Sequence, residues 1–258
     1  MQALSSDDRV DLRSAGGPGA GGFLEPPAPF EDEVAKTMPD QHFSLMLRDR
    51  LRMAVCPPGA TCLHRKRDGT LCGEPLDLRG KHAFKCEAGP TRTARHNGLR
   101  DFTAEFHPKV TGYCACSEQR VVAWDRRNPR TGVLEEARLD VATRDAGTGH
   151  KIYVDTCVTC AHSGYEPRQR ARAGKDGVAA ADAVRWKRCR YPPTGGNLVP
   201  LVFEAGGRPA EETVAFVRSW GAGLDSAERS KAIRFAWQQY STVLQSGNAE
   251  MLLSALGR

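Results

Sequence analysis

EARLDVATRDAGTGHKIYVDTCVT, residues 136–159, is the stretch that decides the fold. Two runs rich in β-branched and apolar residues, 136–143 and 151–159, flank the turn cluster Asp145-Ala146-Gly147-Thr148-Gly149, which reads as a hairpin. Side chains alternate between the faces of a strand. Leu139, Val141 and Thr143 therefore share one face, and Arg138, Asp140 and Ala142 the other. On the second run Ile152, Val154, Thr156 and Val158 oppose Tyr153, Asp155, Cys157 and Thr159. Each run thus carries one aspartate in the middle of a segment that otherwise reads as buried. A charge there is costly unless it is paired or binds a cation. Paired as a hairpin, the strands bring Asp140 and Asp155 towards one ion. Two such carboxylates with Mg²⁺ or Mn²⁺ serve phosphodiester hydrolysis. The alternative is a pair of salt-bridged or edge-strand carboxylates.

Outward from the hairpin, residues 118–124 predict a further strand and 96–107 a short helix with Leu99, Phe102 and Phe106 on one face. Downstream, an Ala- and Arg-rich helix is expected over about 168–190, stopped by Pro192-Pro193. A buried strand follows at 198–204, then helices near 209–219 and 226–256. Ile233, Trp237, Tyr240 and Leu244 form an apolar core stripe on the last, and Asp225 with Glu228 fits a capping box at its start. Residues 31–55 read as helical through Phe43, Met46, Leu47, Leu51 and Val55. Residues 1–30, rich in Gly and Pro, read as a disordered leader. The fold class is α/β, a mixed central sheet flanked by helices. The expected divisions are 1–30, 31–94, 95–208 and 209–258, the last a helical extension.

Residues 56–94 are dense in Cys, His, Gly and Pro and lack periodicity, so they need a staple. Cys62, Cys72, His82 and Cys86 have the spacing Cys-x9-Cys-x9-His-x3-Cys. Thiolate and imidazole are the ligands tetrahedral Zn²⁺ prefers, and four of them close a structural site. Cys56 competes as fourth ligand, and His64 more weakly. The remaining pairs, Cys114-x-Cys116 and Cys157-x-x-Cys160, read as packed residues rather than a redox centre.

The chain has 258 residues, nine cysteines and a net charge of +6, with a pI of about 8.9 and a mean hydropathy of −0.49. No run approaches the roughly 18 apolar residues of a membrane span. Nothing at the N-terminus resembles a secretion signal, so the expectation is a chain that is not secreted and whose cysteines are thiols or metal ligands. The basic excess suggests a polyanion. It is concentrated in residues 62–100, with nine Lys/Arg against four Asp/Glu, and in 164–191, with eight against three.

The order of a Cys/Cys/His/Cys cluster, then Arg95-His96-Asn97, then an aspartate, 14 residues and a second aspartate in an apolar strand resembles the restriction-like endonuclease domain of site-specific non-LTR retrotransposons. That domain belongs to the PD-(D/E)xK superfamily. Phrases such as Pro75-Leu76-Asp77, His82-Ala83, residues 134–141 and Ala236-Trp237-Gln238 are similar to retroelement-derived reading frames of dinoflagellates and related protists. The likeness runs from about residue 38 to the C-terminus.

The resemblance implies a restriction-endonuclease-like core behind an N-terminal zinc-knuckle module. Asp140 matches the aspartate of the PD element, with Leu139 in place of proline. Asp155 matches the acidic residue of (D/E)xK, and Cys157 stands where the lysine would be. Relatives take that lysine from the next helix, in a run like Lys187-Arg188-Cys189-Arg190-Tyr191. Helical spacing agrees, since Ala180, Val184 and Lys187 share one face. A surface lysine in a basic helix is the alternative for Lys187, and Lys175 is a second candidate. Glu118 matches a third carboxylate. Arg95, His96, Lys175 and Arg190 are assigned to nucleic acid, and Asn97, grouped with them, would cap its helix. The implied partner is DNA, with RNA as the other polyanion, alongside a reverse transcriptase domain encoded elsewhere in the element. An active copy would work in the nucleus, a decayed one would sit in the cytoplasm. Two other classes stay open: a non-catalytic nucleic-acid-binding module, and a protein-interaction domain for which zinc is only a staple.

Overall fold

The computed structural model describes residues 4–30, 33–163 and 166–258. Its main sheet has the order β1 (Cys116–Arg120), β4 (Arg138–Arg144), β5 (Lys151–Thr159), β6 (Leu198–Glu204), while β2 (Arg126–Arg127) and β3 (Leu134–Glu135) form a separate ribbon. β1 and β5 run antiparallel to β4, and β6 runs parallel to β5, so the sheet is mixed. The β4–β5 hairpin closes as its sequence predicts. Asp145 Oδ1 accepts from the N–H groups of Gly147 and Thr148, and Gly149 takes the left-handed backbone at φ 70°.

Seven α-helices are described: α1 (Ser6–Ser14), α2 (Asp40–Arg50), α3 (Thr91–Thr111), α4 (Glu166–Gly174), α5 (Val178–Arg190), α6 (Glu211–Ser219) and α7 (Ser226–Ala255). Leu99, Phe102 and Phe106 of α3 and Phe235, Tyr240 and Leu244 of α7 cover Val141, Ile152, Val154, Leu201 and Phe203 of the sheet. Burying each such large side chain contributes roughly 1.5–3 kcal/mol. The buried Tyr240 hydroxyl is satisfied by Thr103 Oγ1 at 2.7 Å. A second apolar cluster joins Ala180 and Val184 of α5 to Val202 of β6, with Cys157 of β5 against it. The parallel β5–β6 pair requires a crossover, which α4 and α5 supply. No helix among the described residues is long and apolar enough to cross a membrane.

Several elements depart from their predicted form. Residues 4–30 are not a disordered leader: they contain α1 and bury Val10, Ala20, Phe23 and Phe30. Their glycines allow the backbone to lie directly on α7, where a Cβ on Gly22 would stand 2.9 Å from Gln238 Cα. The Gln238 side chain then binds that backbone, accepting from Ala28 N and donating to Pro26 O. The helix expected over 31–55 is confined to α2. The strand expected at 118–124 is β1 followed by a 3-10 turn, Val122–Trp124, with Trp124 buried. The helix expected over 168–190 is divided at Gly174–Gly177, Gly177 having φ 69°. α3 starts five residues earlier than predicted and runs to Thr111. β5 and β6 have the predicted bounds.

α3 and α7 cross at Gly247. A Cβ there would lie 2.5 Å from Arg95 Cγ and 3.1 Å from Arg95 Cα. Glycine inside a helix is disfavoured by about 1 kcal/mol against alanine, so the close crossing is what this residue serves. Gly247→Ala should therefore destabilise the protein by roughly 1–2 kcal/mol through overpacking. Urea unfolding will show it as a lowered midpoint at unchanged slope.

Candidate active site and metal centre

The β4–β5 pairing ends at Val141↔Val154, one step short of Asp140 and Asp155. Beyond that point the Asp140 carboxylate takes over the ladder's role, with Thr156 N–H donating to its Oδ2 at 2.5 Å. β5 remains paired to β6 on its other side as far as Thr159. The two aspartates thus sit where adjacent strands part, and both are buried, 6% and 7% exposed.

Each aspartate meets a basic side chain from a different helix. Lys187, on the buried face of α5 with Ala180 and Val184, places Nζ 2.5 Å from Asp155 Oδ2 and 3.1 Å from Thr156 O. His96 of α3 places Nε2 3.0 Å from Asp140 Oδ1. Burial alone would raise the Asp140 pKa, but the His96 hydrogen bond and charge, the Thr156 N–H and the Lys187 charge together hold it below the usual carboxylate value. Asp155 is raised: burial dominates, and the neighbouring Asp140 charge offsets part of what Lys187 gives back. Burial disfavours the Lys187 ammonium, yet the Asp155 charge and hydrogen bond keep it protonated. Burial likewise pushes the Cys157 thiol up, so the residue in the expected lysine position is a neutral neighbour of the ion pair. Tyr191, also raised by burial and by Asp155, lines the same region.

The other residues assigned by sequence lie apart from this centre. Glu118 stands opposite Asp140 on β1, between Ser117↔Val141 and Gln119↔Leu139, but has φ 57° and turns to Arg100 Nη1 at 2.5 Å. Arg95 is not available to a phosphate. It is 4% exposed, donates to Asn248 Oδ1 at 2.6 Å, and burial lowers its pKa to about 10. Asn97 caps nothing, because α3 begins at Thr91 and carries it in the second turn. Arg190 donates to Trp124 O at 2.8 Å and braces the 3-10 turn. Lys175 is exposed in the turn before α5, whose first residue, Val178, is about 14 Å along the helix from Lys187. His96, also assigned to nucleic acid, is the exception, since it meets the Asp140 carboxylate. Its spacing to Leu99 and Thr103, both fully buried, carried the signal: i, i+3 and i+7 share a helical face.

At the far end of α7 the Cys/His residues form the one group of described metal-ligating side chains whose ligand atoms all lie within 4.8 Å: Cys62, Cys72, His82 and Cys86. Cys62 Sγ is 3.8 Å from Cys86 Sγ, Cys86 Sγ is 3.7 Å from Cys72 Sγ, and Cys72 Sγ is 3.3 Å from His82 Nε2. With Zn–S bonds of about 2.3 Å, the edge of a tetrahedron is about 3.8 Å. The group therefore has the donors and the dimensions for zinc. Without a metal, burial and the neighbouring thiols push Cys62 up to about 12. Reverse turns through Gly69 and Gly73 bring Cys62 to Cys72, which donates its N–H to His64 O at 2.7 Å. Cys56 and His64 are not ligands: Cys56 packs into the module's core, and buried His64 rests on Gly89.

No family model matches the chain, and no curated protein matches it either.

Two outcomes follow from this geometry. Lys187→Met should cost about 3–5 kcal/mol at pH 7, because it strands a buried carboxylate. Asp155 would then titrate higher still in the folded state than in the unfolded one, so the folded protein takes up the extra proton. Part of the loss should return as pH falls from 7 to 5, and denaturant midpoints at the two pH values will measure it. Removal of zinc by a chelator should lower the melting temperature and release one metal ion per chain, while Cys62→Ser should purify with substoichiometric zinc by elemental analysis.

Proposed function

We propose that this chain is a divalent-metal-dependent DNA endonuclease of the restriction-like PD-(D/E)xK kind, built like the nicking domain of site-specific non-LTR retrotransposons. The observation that carries the reading is the Lys187 ammonium held between Asp155 and Thr156 O, beside Asp140, at the point where β4 and β5 part. Two carboxylates and a lysine delivered by the following helix make the chemical set that the sequence resemblance implies. A Mg²⁺ or Mn²⁺ ion at such carboxylates would supply Lewis-acid stabilisation of the phosphate. Asp140 and Asp155 are the residues to hold it. His96 fixes the orientation of Asp140. The Lys187 ammonium stands ready to stabilise negative charge building on a phosphate oxygen. DNA is the partner, the Cys62/Cys72/His82/Cys86 group is a structural zinc site, and activity would belong in the nucleus beside a reverse transcriptase domain of the same element.

A second reading has its own support. Both carboxylates are already paired, one to His96 and one to Lys187, as they would be in a nucleic-acid-binding module that kept the fold and lost the chemistry. Plasmid nicking separates the two. Purified protein with Mg²⁺ or Mn²⁺ should convert supercoiled to open-circular DNA. Asp140→Ala and Asp155→Ala should each lower the rate by at least about a hundredfold. Salt-dependent retention of DNA with no metal-dependent nicking selects the binding module, and equal cutting by both variants removes the assignment of the aspartates.

A further inference from the structure

A group of basic side chains with no role in the site above lies under α1. Arg52 follows α2, Arg79 and Lys81 belong to the zinc-binding segment, and His162 follows β5. Facing them is the acidic first half of α1, while Arg79 Nη2 is also held by Asp49 Oδ1 of α2 at 2.9 Å. Lys81 Nζ is 3.1 Å from Asp7 Oδ2 and 3.9 Å from Asp11 Oδ2. Arg79 Nη1 is 3.7 Å from Asp11 Oδ2, His162 Nε2 binds Asp11 Oδ1, and Arg52 pairs with Asp8. Arg52 does so from a left-handed backbone, φ 63°, which non-glycine residues disfavour.

This contact matches in charge but not in hydrogen bonding. Buried Asp11 Oδ2 and buried Arg79 Nε each lack a hydrogen-bond partner among the described residues. Beneath α1 lies a cavity of about 60 Å³ lined by Asp11, Asp49, Arg50, Arg79, Lys81 and His162 among others. The apolar support is slight: Val10 packs on Ala161, Ala173 and Ala179, while Leu4 and Leu12 are about half exposed. α1 is fastened at its C-terminal end, where Ser14 accepts from Gly206 N and Arg208 N, and continues into the glycine-rich run 15–22. Its first two turns are held by these ion pairs and by the single apolar anchor Val10.

We propose that the Arg52/Arg79/Lys81/His162 face is a docking surface for the phosphate backbone of duplex DNA, covered in the free protein by the carboxylates of Asp7, Asp8 and Asp11. The inference rests on the nucleic-acid reading above and extends it. Phosphate oxygens supply the acceptors that Arg79 Nε lacks, and a duplex offers a row of them. The distance is right. His162 lies seven residues beyond Asp155 along β5 and its continuation, at most about 23 Å. A backbone with its scissile phosphate at Asp155 therefore reaches this face within about seven nucleotides. For the DNA to dock, residues 6–11 lift while the Ser14 end stays tied.

The test uses the full zinc-loaded chain in buffer without Mg²⁺ or Mn²⁺, with binding to a 30-base-pair duplex read by anisotropy. Asp7→Asn/Asp8→Asn/Asp11→Asn removes the competing charges and should tighten binding by about tenfold, the sum of several partly exposed ion pairs. Lys81→Gln added to that variant should reverse most of the gain. Hydrogen exchange of the parent protein should show amides 8–12 losing protection when duplex is added, with residues around Gly206 unchanged. A triple variant that melts like the parent and binds duplex no more tightly overturns the proposal, as does unchanged protection of α1. Tighter binding of heparin without tighter binding of duplex overturns its assignment to DNA. Loss of nicking in Asp140→Ala alongside an unaltered triple variant would leave the nuclease reading intact and remove only this inference. A tenfold gain in a chain that never nicks would do the converse.

Discussion

Two carboxylates taken out of water in the middle of a sheet constrain everything around them. Dehydrating an ion costs several kcal/mol even after the protein relaxes, so each aspartate needs a partner on hand. Here the partners arrive from opposite directions in sequence, His96 from α3 ahead of the sheet and Lys187 from α5 after it. α3 must therefore present His96 on the face that carries Leu99, and the β5–β6 crossover must bring the end of α5 back over Asp155. The opened seam between β4 and β5 belongs to the same arrangement, because the Thr156 N–H there is satisfied by the Asp140 carboxylate.

The Cys/His segment answers a different shortage. Its own apolar residues are few, and the core it joins is completed by Ala249, Leu252 and Ala255 of α7. That helix, 30 residues long, also carries Phe235, Tyr240 and Leu244 in the main core. One rod of about 45 Å thus belongs to both cores. The contact is tight: a Cβ on Gly80 would lie 2.5 Å from Leu252 Cδ1.

Strands and long helices were legible in the sequence where pattern and burial agree, as in β5, β6 and α7. Asp225 caps α7 through the N–H groups of Ala227 and Glu228 as its position suggests. What composition obscured was the N-terminal segment. Glycine and proline lower local order, but here they permit close approach to α7, and four buried side chains with Gln238 suffice to hold the chain. The Cys, Cys, His, Cys spacing named a cluster that the fold assembles, and helical spacing put Lys187 on the inward face. The basic residues were harder. Charge alone does not distinguish Arg95, which is a buried strut between α3 and α7, from an arginine that meets solvent, because the distinction depends on which helix crosses above it.

The sheet stops at four main strands, and its rims explain why. On β6 the outward N–H positions are 200, 202 and 204. Pro200 has none to offer, Val202 gives its own to Thr213 Oγ1, and Glu204 gives its own to Arg208 O. On β1 the exposed run Cys116-Ser117-Glu118 ends in the left-handed Glu118, φ 57°. Neither rim presents the unbroken row of donors and acceptors along which a strand from another molecule could zip. A protein that keeps charged and β-rich segments side by side is thereby shielded from edge-to-edge accretion at high concentration, by backbone bookkeeping rather than by surface charge.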